Sequence, residues 1–189
     1  LGKHGARELN YSSDIDPILL FDPDVLAEGE RSGPADTAQR MARDILRLLS
    51  DHTEEGYVFR VDLRLRPAAE ITPLAVSVNA ALSHYESAAL AWERAAFIRA
   101  RSAAGDIERG ERFLATIRPF VWRRSVDFGT IDDIAQLRLR IREAYSGEPE
   151  LGPGFDLKRG RGGIREIEFF AQTHQSVSYT HLTLPTKRI

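Results

Sequence analysis

Ser12-Ser13-Asp14-Ile15-Asp16 is followed, further along, by Phe59-Arg60-Val61-Asp62-Leu63-Arg64-Leu65-Arg66, and these two stretches decide how the chain is read. Successive side chains of a β-strand point to opposite faces, so Asp14 and Asp16 project together with Ile15 turned away. In the second stretch the alternation is strict. Phe59, Val61, Leu63 and Leu65 share one face; Arg60, Asp62, Arg64 and Arg66 share the other, which is the period of a half-buried strand. If the two strands lie side by side, Asp62 joins Asp14 and Asp16. Three carboxylates so placed repel one another unless cations sit between them. Mg2+ takes oxygen ligands, bridges to substrate phosphates and suits such a site. A two-metal carboxylate site stabilises both the attacking and the leaving oxygen of an in-line displacement at phosphorus. The arginines beside Asp62 suit bidentate binding of phosphate oxygens. The same residues also suit a salt-bridged strand face in water.

Composition sets the frame. The 189 residues are 42% hydrophobic and 29% charged, an ordinary globular balance with enough chain for one sizeable core or two small ones. A formal net charge of -2 supplies no global field toward nucleic acid or membrane, and neither is expected as a partner. The absence of cysteine excludes disulfides, thiolate metal sites and Cys nucleophiles. No apolar run approaches the roughly 20 residues needed to span a bilayer, and no signal peptide is visible. A cytoplasmic location is therefore expected, although the chain opens at Leu1 inside a motif and an address could lie upstream. No zinc-like histidine pair, His-Glu-x-x-His, Walker loop or G-x-S-x-G elbow is present.

The expected fold class is α+β: a small mixed sheet carrying the carboxylates, followed by an all-helical region. Asp14 to Phe21 reads as a strand, with Pro17 awkward in it because proline removes a ladder donor. Asp36 to Ser50 reads as an amphipathic helix with Met41, Ile45, Leu48 and Leu49 on one side. Thr72 to Asn79 reads as a short strand. A long helix is predicted from about Ala80 to Ser102, with Trp92 in the core and Glu93, Arg94, Arg99 and Arg101 in helix-face pairing. A second helix is predicted over Ile107 to Ile117, ending before Pro119. Thr130 and Asp133 resemble a capping box opening a helix with Ile134, Leu137, Ile141 and Tyr145. A Gly/Pro-rich linker, a basic glycine turn at Lys158 to Gly163, and a helix from Ile164 to about His174 with Ile167, Phe170 and Ala171 on one face complete the reading. The final stretch, SVSYTHLTLPTKRI, has no helical period; it resembles translated sequencing adaptor and is expected to be foreign and disordered.

Taken together, GKHGARELNYSSDID, FRVDLRLRP, WERAAFIRARSAAGD, RPFVWRR and KRGRGGIREIEFFAQ resemble the glutamine synthetase adenylyltransferase/adenylyl-removing enzyme family. The resemblance runs from Gly2 to about Gln175. It implies a nucleotidyltransferase-like catalytic domain over residues 1–125, incomplete at its N-terminus, a helical region over 126–176, and a tail over 177–189. RELNYSSDID and GGIREIEF resemble the AMP-removing half of these two-headed enzymes more than the AMP-attaching half.

By that resemblance Asp14, Asp16 and Asp62 are the metal-binding and catalytic carboxylates, with Mg2+ as cofactor. Gly2, Lys3 and Gly5 belong to the glycine turn near nucleotide phosphates. Ser12, Ser13, Arg64 and Arg66 are further candidates for nucleotide contact, though Ser-Ser before a strand is also good turn chemistry. Ala6 stands where many members have a second glycine, and Pro17 where members often have leucine. The implied reaction is attack of inorganic phosphate on the AMP–tyrosine bond of glutamine synthetase, releasing ADP. The implied partners are glutamine synthetase, the PII signal protein, ATP or ADP, and phosphate. The alternatives are the attaching half, a PII uridylyltransferase-like enzyme, or a catalytically silent binding module.

Overall fold

The computed structural model describes residues 1–26, 33–122 and 151–178, with single positions at 136, 139, 143, 145 and 147. The chain divides into two compact units, Leu1–Phe120 and Val121–Ile189.

In the first unit, α1 (Gly2–Gly5) is one helical turn. Strand β1 (Leu19–Phe21) pairs in parallel with β2 (Ala75–Ser77), Leu20 opposite Val76. Between them runs α2 (Pro34–Ser50), which starts on a proline in its first turn, where a missing N–H costs nothing. The order β1-α2-β2 is the crossover that parallel strands require. A separate parallel bridge joins Ile15 to Val61: the Ile15 N–H reaches the Arg60 carbonyl and the Asp62 N–H reaches the Ile15 carbonyl, each at 2.9 Å.

The α+β expectation holds in coarse form, with four corrections to the sheet and its strands. Among the described residues the sheet has two parallel strands and is not mixed. The strand predicted from Asp14 to Phe21 is interrupted at Asp16–Ile18, around Pro17, whose ring leaves no N–H for a ladder. The predicted Phe59–Arg66 strand shrinks to the single bridge at Val61. Beyond it the backbone turns, Arg66 N–H to Leu63 carbonyl at 3.2 Å. The strand expected over Thr72 to Asn79 covers only Ala75–Ser77, because Ser77 caps a helix there and accepts from the Ala80 N–H at 3.2 Å.

Helix α2 also buries a different face from the one expected. Ala38 and Ala42 are buried and pack with Ala75, Leu19, Phe21 and Leu74. Met41, Ile45 and Leu48 are exposed, Leu48 to 73%. The small residues let the helix approach the strands closely enough for Gln39 to pair with Ala75. Its amide donates to the Ala75 carbonyl at 2.7 Å and accepts from the Ala75 N–H at 3.1 Å. A side chain thus satisfies backbone groups that a third strand would otherwise take.

The long helix predicted over Ala80–Ser102 is two: α3 (Val78–Ser87) and α4 (Ala91–Phe97). Glu93 makes the break by accepting from the Leu90 N–H at 2.7 Å, an N-terminal cap inside the apolar period. Glu93 is buried at 3% exposure and also meets His84 at 2.8 Å. Trp92, expected in the core, is only half-buried, while its polar neighbours Glu93 and Arg94 are inside. Tyr85 is the hub of this region, with ring centroids 4.8 Å from Phe97, 6.3 Å from Phe113 and 5.5 Å from Phe120. The Arg94 guanidinium lies 5.3 Å from the Phe120 centroid. Helix α5 (Ile107–Val121) carries Pro119 inside its last turn, so the expected stop before it is a correction too; only one terminal N–H is lost there.

In the second unit Asp156 builds the basic turn. Its carboxylate accepts the Lys158 and Arg159 N–H groups at 2.9 and 3.0 Å and the Arg159 side chain at 2.7 Å. These donors, the Arg159 side chain first, hold its pKa down to about 2. Helix α6 (Ile164–Ser178) follows and extends past the predicted end near His174. Ile167 and Phe170, expected on one face, are exposed. The helix predicted after Thr130 lies outside the described residues except for helical positions at Gln136, Leu139 and Glu143, and the expected foreign tail lies outside them from residue 179.

Candidate functional site

The Ile15–Val61 bridge does the positioning. Because Ile15 and Val61 are paired, their side chains share one face, and the residues on either side of each point to the other. Asp14, Asp16, Arg60 and Asp62 therefore project together. Ile15 is buried at 5% exposure beneath them.

The carboxylates are met by arginines. Arg60 donates from Nε to Asp14 at 2.5 Å. It also reaches the Ser12 hydroxyl and the Tyr57 hydroxyl, each at 3.1 Å, and the Ser12 carbonyl. Arg64 folds back to chelate Asp62, Nε lying 2.9 and 2.8 Å from the two carboxylate oxygens. The Asp62 side chain is only 19% exposed while that of Arg64 is 87% exposed, so the pair is a shielded acid under an open cation. The Arg64 bonds hold the Asp62 carboxyl below its usual range against the opposing effect of burial. The Arg64 guanidinium is held charged first by Asp62, with smaller contributions from Asp16 and Asp14. One guanidinium thus lies within electrostatic reach of all three aspartates.

The glycine turn lies against this group. A Cβ on Gly2, whose φ is +57, would stand 3.2 Å from an Asp16 carboxylate oxygen. A Cβ on Gly5 would lie 1.9 Å from the Arg99 carbonyl oxygen, so Gly5 allows two backbones to touch. Arg101 secures the end of α1 by donating to the Gly5 and His4 carbonyls at 3.3 and 3.1 Å. Lys3 sits within α1, half-buried. Ser12 takes a left-handed φ of 58 and Ser13 follows it, half-buried. Arg66 is turned away from the strand face predicted for it: it donates to the Leu63, Ala69 and Thr72 carbonyls and braces the turn after Asp62.

The donor chemistry of three carboxylates on one side suits Mg2+, but their present pairing does not fit the ion. Among the described residues no three acidic or histidine side chains are placed to hold a metal. Asp14 and Asp62 are each turned to a guanidinium. Sequence reading left Arg60 out of the candidate site, although its place on the alternating face was the signal. It also missed Tyr11 and Tyr57, which with Phe59 border an open cleft beside Asp14; an aromatic at a loop position carries no periodicity to reveal it. No helix among the described residues is long and apolar enough to cross a membrane.

Comparison with known proteins gives the family. A glutamate-ammonia ligase adenylyltransferase family model matches residues 1–116, and a PII-uridylyltransferase model matches residues 135–187. The chain is 48% identical over 179 residues to the bifunctional glutamine synthetase adenylyltransferase/adenylyl-removing enzyme of Mesorhizobium japonicum. It is 50% identical over 179 residues to that of Rhizobium meliloti and 50% over 177 residues to that of Caulobacter vibrioides. Each alignment covers 94% of this chain and 18% of the relative, so the chain spans under a fifth of the length of the curated relatives it matches. With a family model spanning more than half of its residues, and the glycine turn and three aspartates inside that span, this chain belongs to the glutamate-ammonia ligase adenylyltransferase family.

Proposed function

We propose that the chain forms part of a nucleotidyl-transfer centre that removes AMP from adenylylated glutamine synthetase by phosphorolysis. The observation that carries this reading is the Ile15–Val61 bridge, which sets Asp14, Asp16 and Asp62 on one side, with Gly2 so close that a Cβ on it would stand 3.2 Å from an Asp16 carboxylate oxygen. An oxygen of hydrogen phosphate attacks the α-phosphorus, the bond from that phosphorus to the tyrosyl oxygen breaks, and the phosphate's proton ends on the phenol. ADP and unmodified tyrosine result. Such chemistry needs alignment of the two oxygens and neutralisation of charge on the phosphoryl group. Arg60 and Arg64 supply forked donors for phosphate oxygens. Ser12 and Ser13 offer hydroxyl donors. Gly2, Lys3 and Gly5 shape the approach. Asp14, Asp16 and Asp62 are the catalytic carboxylates, and Mg2+ is the proposed cofactor on the chemistry of that donor set. PII is the proposed signalling partner.

The PII-uridylyltransferase match over residues 135–187 favours a second reading, transfer of UMP to PII by a centre of the same kind. One set of incubations separates the readings. AMP-modified glutamine synthetase with Mg2+ and phosphate should release ADP, and Asp16→Asn should abolish the release. Adenylylation of unmodified enzyme by ATP instead would assign the attaching direction. Uridylylation of PII by UTP would assign the second reading. Nucleotide binding with no turnover in any of the three would mark a binding module.

A further inference from the structure

Glu93 is an expensive way to start a helix. A carboxylate at 3% exposure gives up its water, and only the polar groups around it can replace that water. The His84 ring meets it at 2.8 Å and the Leu90 N–H donates to it at 2.7 Å. Ser, Thr, Asp or Asn at the N-cap would satisfy the same end of the helix from the surface, yet Leu90 holds that position in α4. His84 reaches the acid from α3 and Leu90 reaches it from the connection. One buried carboxylate therefore sets the break between the two helices from both sides.

The far end of α4 gives that break its use. The helix has seven residues and is about 10 Å long. The chain then turns, the Ile98 and Ala100 N–H groups donating to the Ala95 and Phe97 carbonyls at 3.3 and 3.1 Å. Next it runs against α1. The Arg99 carbonyl oxygen leaves no room for a Cβ on Gly5, the Arg99 guanidinium lies 3.9 Å from the Glu8 carboxylate, and Arg101 donates to the His4 and Gly5 carbonyls. Gly2, at the start of the same turn, lies against Asp16. A tilt of α4 by about 10° at its capped end moves its far end by about 2 Å. That is enough to part Arg99 from Gly5 or to drive the two together.

We propose that Glu93 is a positioning residue for the carboxylate site: held by His84 and Leu90, it fixes the direction of α4 and so the seat on which the glycine turn meets Asp16. It acts through the backbone of residues 99–101 and not on the substrate. The assignment rests on the nucleotidyl-transfer reading and adds to it a residue that the three aspartates do not reveal.

The test compares the 189-residue chain with Glu93→Ala, Glu93→Gln, Arg101→Ala and the double variant Glu93→Ala/Arg101→Ala, at a temperature where circular dichroism shows each folded. Hydrogen exchange and ADP release from AMP-modified glutamine synthetase are the two readouts. Glu93→Ala should raise exchange several-fold at residues 2–8 and leave that of α2 unchanged. It should lower turnover by about 10- to 100-fold, as a displacement of about 1 Å does. Glu93→Gln keeps an acceptor for Leu90 and a donor for His84, and should restore both. Adding Arg101→Ala to Glu93→Ala should lower turnover little further, because both act through one contact. Should Glu93→Ala fail to fold, His84→Ala keeps the cap, removes the link to α3 and should give the same pattern more weakly. Exchange that rises equally in α1 and α2 would make Glu93 a general stabiliser and overturn the proposal. So would turnover losses that multiply in the double variant, or Glu93→Gln as slow as Glu93→Ala. A parent chain that releases no ADP would sink the nucleotidyl-transfer reading, and the exchange pattern would still decide whether Glu93 seats the glycine turn.

Discussion

Arg60 and Asp14 lie 46 positions apart in the chain and 2.5 Å apart in space, each side chain 51% exposed. The pair sits beside the Ile15–Val61 bridge and neutralises one of three clustered acids.

Its exposure decides what its loss would do. An ion pair this open to solvent contributes little to folding, so Arg60→Gln should leave thermal stability nearly unchanged. It should tighten Mg2+ binding, because the ion no longer competes with a guanidinium for Asp14. Titration calorimetry with Mg2+ on parent and variant checks this. Weaker Mg2+ binding in the variant would show that Arg60 orders the carboxylates and does not compete for them.

Asp62 makes stability depend on pH. Its folded pKa is depressed, chiefly by Arg64. It therefore contributes stability that is fully present above the unfolded carboxylate pKa and is lost as pH falls through the lower folded value. Urea denaturation between about pH 5 and pH 2 should show stability falling with acidification, and Asp62→Asn should flatten the Asp62 share of that slope. An unchanged slope would mean that the Arg64 chelate does not persist in solution.

Gly5 and Arg101 act on the same contact from two sides. Gly5→Ala places a methyl 1.9 Å from the Arg99 carbonyl oxygen, a backbone atom that cannot swing aside. Overpacking of this kind costs about 1–3 kcal/mol. Arg101→Ala removes the donors to the Gly5 and His4 carbonyls and should loosen α1 without a clash. Hydrogen exchange of residues 2–8 should rise in both variants, with the larger drop in melting temperature in Gly5→Ala. If Gly5→Ala melts with the parent, the close approach at Arg99 is not kept in solution.

Tyr85 carries a cost at the hub of its aromatic cluster. Its hydroxyl is buried with no hydrogen-bond partner among the described residues, and burial raises its pKa strongly. Tyr85→Phe removes the unmet polar atom and keeps the ring contacts, so it should stabilise the chain by about 1 kcal/mol. Tyr85→Ala should cost about 3–5 kcal/mol through the cavity it leaves. Chemical denaturation of the two variants provides the check, and a destabilised Tyr85→Phe would reveal a hydroxyl partner.

Period two is a local property of the backbone, so the shared side of Asp14, Asp16 and Asp62 could be read from Asp14-Ile15-Asp16 and from the alternation around Val61. It needed only that the two segments pair, which they do at one bridge. The basic turn at Lys158 to Gly163 and the awkwardness of Pro17 were legible for the same reason, since each acts within a few residues, whereas the strand reading ran past the cap at Ser77. Helical spacing showed that α2 has an apolar stripe. Which face goes inward was settled by how near the helix comes to β1 and β2, and that nearness favours Ala38 and Ala42 over Met41, Ile45 and Leu48.

What tertiary structure alone decided is who satisfies whom. Glu93 breaks one apolar period into two helices because its carboxylate reaches both Leu90 and His84. Gly5 is needed because the Arg99 backbone arrives from far along the chain. Arg60 takes Asp14 and Tyr57 together, whereas Arg66, two positions past Arg64 on the same expected face, is drawn into a turn. An arginine's charge is written in the sequence. Its partner is set by the backbone that brings an acid or a carbonyl within about 3 Å, and no local period encodes that distance.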